Sequence, residues 1–224
     1  MMATSRKIRL IMELRRAGIA DTDVLSAIER IPRESFTPDS FRHQAYENVA
    51  IPIGQGQTLS QPQVVALMTQ ALKAGRRTKV LEVGTGSGYQ AAVLSRLCRR
   101  VYTIERFREL LATAEQRFAA LRLHNITTLH GDGWKGWSEQ APFDRIMITA
   151  AAADVPAALV DQLAVGGRMV LPVGRSSRDQ ALLQLRREPG GIVEEHLADV
   201  RFVPLVEGVP EEQAYGAQRS GGRA

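Results

Sequence analysis

Three carboxylates and three glycines carry the first chemical signal in this chain. Glu82 stands two residues ahead of Gly84, Gly86 and Gly88, and the whole run reads Val80-Leu81-Glu82-Val83-Gly84-Thr85-Gly86-Ser87-Gly88-Tyr89. Glycines at that spacing let a backbone turn tightly and approach a ligand without side-chain obstruction. Tyr89 occupies the place where a dinucleotide fingerprint wants its third glycine. A carboxylate at Glu82 would repel a pyrophosphate, but it suits the positively charged amino-acid end of S-adenosyl-L-methionine. Glu105 follows Gly84 by 21 positions and closes a β-branched run, Arg100 to Glu105. An acid at that separation reaches ribose hydroxyls. Asp132 closes a third run, Ile126 to His130, and is flanked by Gly131 and Gly133. It is placed to accept from an adenine amino group. Taken singly, each acid also reads as a cap or turn residue.

Methyl transfer from a sulfonium is an in-line displacement, so the acceptor needs a lone pair, orientation and shelter from water. Base amino groups usually demand a polar and aromatic turn after the fourth strand. The corresponding turn here is Thr149-Ala150-Ala151-Ala152-Ala153-Asp154. Catechol-type acceptors need a metal held by clustered acids, and Asp154 alone is a poor start, so no metal is expected. A carboxylate acceptor asks for less, because it is already ionised at pH 7. Neutral donors suffice to orient it. The segment from Gly54 to Gln63 offers them, with Pro62 suited to the first turn of the next helix and Ser60 at or beside its N-terminus. Helix N-termini favour anions. Ser60 reads equally well as a plain helix cap.

These residues need a scaffold. Five candidate strands, 79–83, 100–105, 126–130, 143–149 and 167–173, alternate with helical stretches near 88–97, 107–121 and 156–163. That alternation predicts right-handed crossovers and a doubly wound, Rossmann-like α/β sheet. Ala181 to Arg186 and Ile192 to Pro204, joined through Pro189-Gly190-Gly191, read as an antiparallel hairpin on its edge. Residues 1–61 read as a helical extension carrying the acceptor segment, 62–206 as the methyltransferase domain and 207–224 as a polar tail, disordered from Glu211. In the extension, helices are expected over 4–16 and after an Asp21 or Thr22 cap, ending before Pro32. From Pro32 to Gln61 there is little periodicity. A further amphipathic helix carries Val64, Leu67, Met68, Ala71 and Leu72, with Gly75 as its stop.

Composition bounds the rest. The chain has 224 residues, 44% hydrophobic and 24% charged, with a single cysteine, Cys98. One cysteine excludes an intrachain disulfide framework and offers no zinc site. No apolar run approaches the ~20 residues of a membrane span, and Met1 to Gly18 is too rich in arginine and lysine for a signal-peptide core. A cytoplasmic location is expected. The net charge is +5. Its arginine pairs mostly flank predicted elements without interleaved aromatics, which points away from nucleic acid.

The segments Gly56-Gln57-Thr58-Leu59-Ser60-Gln61-Pro62 and Leu81 to Tyr89 together resemble the protein-L-isoaspartate O-methyltransferase family. His130-Gly131-Asp132-Gly133, Pro142 to Ile146, Gly166 to Gly174 and Arg201-Phe202-Val203-Pro204-Leu205 extend the resemblance from Met12 to Leu205. The resemblance implies methylation of the α-carboxylate of L-isoaspartyl residues, and more weakly of D-aspartyl side chains, in peptides and damaged proteins. It further implies collapse of the ester to a succinimide, whose hydrolysis partly restores aspartate. Ser60 inherits the active-site serine, Thr58 a place in the acceptor pocket, and Glu82, Gly84, Gly86, Gly88, Glu105, Asp132 and Gly133 the contacts to S-adenosyl-L-methionine. The enzyme is expected to act as a monomer. An alternative directs the same chemistry to one dedicated peptide whose succinimide is the intended product. Many relatives carry Ser-Ala-Pro-His where this chain has Ser60-Gln61-Pro62-Gln63, and some carry a threonine in place of Val206.

Overall fold

The computed structural model describes residues 2–176 and 178–210, so the tail from Glu211 onward lies outside the described residues. Two helices lead the chain, α1 over Met2–Arg16 and α2 over Thr22–Arg30. Leu10 and Leu14 of α1 pack against Val24, Leu25 and Ile28 of α2 in one cluster. Asp21 is the α2 cap, its Oδ1 accepting from the N–H groups of Asp23 and Val24 at 3.0 and 3.2 Å.

The stretch from Pro32 to Gln61 has more order than its lack of periodicity predicts. Two 3-10 turns, Arg33–Phe36 and Asp39–Gln44, lead into a hairpin of β1 (Ile51–Gly54) and β2 (Gln57–Leu59). Gln55 and Gly56 at its tip have φ of 52° and 67°. That is the two-residue geometry matching strand twist, written with Gln-Gly in place of the stronger Asn-Gly signal. Helix α3 then runs over Pro62–Leu72 with its proline in the first turn. Lys73 takes the left-handed C-cap at φ 51°, so the helix ends before the expected stop at Gly75.

Seven strands form the main sheet: β3 (Lys79–Val83), β4 (Arg100–Glu105), β5 (Ile126–His130), β6 (Phe143–Ile148), β7 (Leu163–Ser176), β8 (Asp179–Glu188) and β9 (Gly191–Asp199). Their order is β5-β4-β3-β6-β7-β8-β9. The pairs from β5 to β7 are parallel, whereas β8 and β9 add antiparallel on the edge. Helices α4 (Tyr89–Ser95), α5 (Arg108–Ala120) and α6 (Ala157–Asp161) make the crossovers. Strand alternation sends Val80 and Leu81 into separate clusters on opposite faces. Each such burial is worth about 1.5–3 kcal/mol. The chain runs from β3 to β4 on one side and places β6 on the other, so a crevice opens at the carboxyl end of β3.

The edge hairpin is shorter at its far end than the sequence predicts. β9 stops at Asp199 because Gln180 intercepts the chain: Phe202 N–H donates to its Oε1 at 2.6 Å, and its Nε2 donates to the Phe202 carbonyl at 3.2 Å. The backbone then turns to Ala151, whose N–H donates to Val203 O at 2.8 Å and whose carbonyl accepts from Leu205 N–H at 2.7 Å. This detour carries residues 203–206 over the crevice. Among the described residues no helix is long and apolar enough to cross a membrane.

Candidate active site

A cavity of about 230 Å³ occupies the crevice. Its floor is residues 84–87, 104–107, 133 and 149–150, one wall is residues 57–60, and residues 203–206 close over it. The glycine turn is pinned from below, where the N–H groups of Gly84 and Thr85 donate to Ile104 O at 2.9 and 3.2 Å. Gly84 has φ +97°, and a Cβ there would lie 2.4 Å from Thr149 Oγ1. Thr149 cannot yield easily, since its hydroxyl donates to Gly84 O at 2.7 Å. Gly86 differs. At φ +53° its added Cβ would meet only Ile53 Cδ1, at 3.4 Å, so this is the glycine that keeps backbone open to the cavity. Gly88 is packed against Phe118 and is the N-cap of α4.

Glu105 faces the cavity and holds the turn at once. Its Oε2 accepts from Gly86 N–H at 2.7 Å and its Oε1 from Phe107 N–H at 3.0 Å. Each oxygen keeps acceptor capacity for a hydroxyl. Glu82 departs from the expectation that it meets the ligand, for it is fully buried and does not line the cavity. One oxygen accepts from the Thr103 hydroxyl, which also contacts the Thr85 hydroxyl at 2.7 Å. The other has no hydrogen-bond partner. Burial pushes its carboxyl up to about 8, the Thr103 bond pulls the other way, and the charge of Glu105 adds to the rise. Asp132 likewise lies outside the lining, its Oδ1 accepting from Trp134 N–H at 3.0 Å. Its neighbour Gly133 does line the cavity, and a side chain there would strike Val83 Cγ1 at 2.4 Å.

Thr58 and Ser60 line this cavity and also a second one of about 560 Å³, walled by residues 178–181 and 199–202. The capping reading of Ser60 fails, since Gln61 is the N-cap of α3 and that cap has no side-chain bond. One N–H expected to be free at this helix end is occupied: Gln63 N–H donates to Asn48 Oδ1 at 2.9 Å, and Asn48 Nδ2 donates back to Gln63 Oε1 at 2.9 Å. The departure at Gln63 therefore has a local job. Val206 lines the cavity without a hydroxyl. None of the four histidines lines either cavity, and burial pushes the Cys98 thiol up to about 12, away from nucleophilic use.

The structure thus brings together Thr58, Ser60, Gly84, Gly86, Glu105 and Gly133, while Glu82, Gly88 and Asp132 support the site from behind. Sequence reasoning passed over Arg106, Phe107 and Thr149, which also line it. Only the spacing of strand ends pointed to them.

Residues 5–210 match the family model of protein-L-isoaspartate(D-aspartate) O-methyltransferase (PCMT). The chain belongs to this family. It is 63% identical over 211 residues to a protein-L-isoaspartate O-methyltransferase of Paramagnetospirillum magneticum, covering 94% of this chain and 99% of that protein. A Rhodospirillum rubrum relative of the same name is 61% identical over 219 residues, covering 97% and 100%. Among solved structures, a β-aspartate methyltransferase (PCMT) of Plasmodium falciparum in complex with S-adenosyl-L-homocysteine superposes with a TM-score of 0.76 at 26% identity, covering 88% of this chain and 97% of that one. Another protein-L-isoaspartate O-methyltransferase gives a TM-score of 0.80 at 28% identity, covering 88% of this chain and 65% of that one. The PCMT fold is therefore the parallel sheet with its antiparallel edge described above.

The residues fit the family's nucleoside cofactor. Gly86 is an open cradle that a Cβ would begin to fill, Glu105 offers oxygens at its edge, and the unsatisfied oxygen of Glu82 lies beneath.

Proposed function

We propose that this PCMT transfers a methyl group from S-adenosyl-L-methionine to the free carboxyl of L-isoaspartyl residues, and more weakly of D-aspartyl residues, initiating repair of damaged proteins. The observation that carries the reading is the meeting of two cavities at Thr58 and Ser60. When bound, the cofactor supplies an electrophilic methyl group on sulfur. Gly84, Gly86 and Gly88 would shape its bed, Glu105 would accept from its ribose, and Asp132 would hold the turn that carries Gly133. Glu82 braces the turn from below through the hydroxyls of Thr103 and Thr85.

The second cavity receives the acceptor's main chain, and Ser60 orients the carboxylate by donating its hydroxyl proton. A neutral donor fixes direction while leaving the lone pair nucleophilic. No base is needed, because the acceptor is ionised well above pH ~4. The ester then leaves the enzyme's chemistry behind: the following backbone nitrogen attacks the ester carbonyl, methanol departs and a succinimide remains. No observation favours the dedicated-peptide alternative. The reading includes a cytoplasmic monomer acting on protein, with no nucleic-acid or membrane partner; its support is the substrate class named for its relatives.

Labelled methyl transfer to peptides differing only at one aspartyl residue tests this. An isoaspartyl peptide should be labelled strongly, its D-aspartyl form weakly and the L-aspartyl control not at all. Equal labelling of Asp and isoAsp peptides, or transfer to RNA alone, would overturn it.

A further inference from the structure

Arg33 is fully buried, yet among the described residues no carboxylate pairs with it. Its Nη2 donates to the Ser60 carbonyl at 2.8 Å, while Nε and Nη1 have no hydrogen-bond partner. Its guanidinium carbon lies 4.8 Å from the centroid of the Tyr89 ring. Tyr89 begins α4 directly after the glycine turn and lines the cofactor cavity. The other side of the same turn is gripped as well: Arg117 donates to Ser87 O at 2.8 Å and lies over Phe36, whose ring meets Tyr89 edge-on at 5.5 Å. Arg33 lines neither cavity.

Burying an unpaired guanidinium costs several kcal/mol, and an apolar residue of similar volume at such a place is often neutral or stabilising. The fold gains little from Arg33 that a methionine would not supply. What a methionine would not supply is a charge-assisted bond to the Ser60 carbonyl from a guanidinium held 4.8 Å from the centroid of the Tyr89 ring. We propose that Arg33 is a positioning residue, tying the backbone of Ser60 to the first residue of the cofactor-side helix so that acceptor and cofactor share one frame. The tie is rigid because the guanidinium is planar and stays charged. It acts through Ser60, so the proposal rests on the acceptor role given to that residue.

The test compares Arg33→Met and Arg33→Lys in the wild-type and Ser60→Ala backgrounds, on an isoaspartyl peptide with saturating S-adenosyl-L-methionine. Arg33→Met should keep or raise the melting temperature while kcat falls by about tenfold or more, with the Kd of S-adenosyl-L-homocysteine moving less than about threefold. Arg33→Lys, which keeps the charge but lacks the planar fork, should recover part of that loss. In the Ser60→Ala background either change should alter kcat by less than about twofold, because residues that act as a unit are not additive. Unchanged kcat in Arg33→Met, or losses that multiply in full with Ser60→Ala, would overturn the proposal. Should Arg33→Met fail to fold, the lysine variant in the two backgrounds decides on the same criterion. Full turnover in Ser60→Ala alone would instead refute the acceptor role of Ser60.

Discussion

The two walls of the active site are built on different principles. The cofactor floor rests on the ends of parallel strands held by sheet hydrogen bonds, and the glycine turn is tied to Ile104 beneath it. The acceptor wall has a two-strand hairpin, a helix end and a detour of residues 203–206, joined by a few contacts such as Arg33 to Ser60 and Ala151 to Val203 and Leu205. A floor of that kind tolerates little change in shape. A wall made of separate contacts can lose one and keep the fold, which makes substrate choice the more adjustable half.

The sharpest way to break this contrast is to add the same methyl group to each half. Gly84→Ala meets Thr149 at 2.4 Å with φ +97°, whereas Gly54→Ala in β1 has φ +94° and nothing within 4 Å. Overpacking and backbone strain together should cost Gly84→Ala about 2–4 kcal/mol in chemical denaturation and abolish the rise in melting temperature on adding S-adenosyl-L-homocysteine. Gly54→Ala should lose about 1–2 kcal/mol from strain alone and keep that rise. Equal losses of binding in the two variants would contradict the division.

The same division explains what the sequence disclosed. The floor was legible because topology guarantees that the ends of β3 and β4 lie side by side, so Gly84, Gly86 and Glu105 could be read together from spacing. Even there, spacing does not say which way a side chain points: Glu82 faces inward to Thr103, and Asp132 caps the backbone N–H of Trp134. The acceptor wall was legible only as a segment. Its hairpin lacks a strong turn signal, Gln180 cuts β9 short through a side-chain bond, and Arg33 sits near Ser60 across 27 positions of chain. Such contacts depend on tertiary placement, and no periodicity records them.

A smaller effect sharpens the account of the floor. The Glu82 carboxyl is raised from an ordinary 4.5 to about 8, so the folded state holds a proton over that window which the unfolded state releases. Stability contributed by this group therefore falls as pH rises from about 4.5 through 8 and stays low above it. Glu82→Gln removes the ionisation. Its melting temperature relative to wild type should climb by several degrees between pH 5 and pH 9. A constant difference across that range would mean Glu82 is ionised throughout.

The central claim is that the two halves meet at Ser60, which serves the acceptor and neither the cofactor nor the helix. Turnover of an isoaspartyl peptide by Ser60→Ala, at saturating S-adenosyl-L-methionine, tests it most directly. We expect kcat to fall by more than about tenfold, with affinity for S-adenosyl-L-homocysteine unchanged and stability within about 0.5 kcal/mol of wild type. Wild-type turnover in that variant would contradict the account.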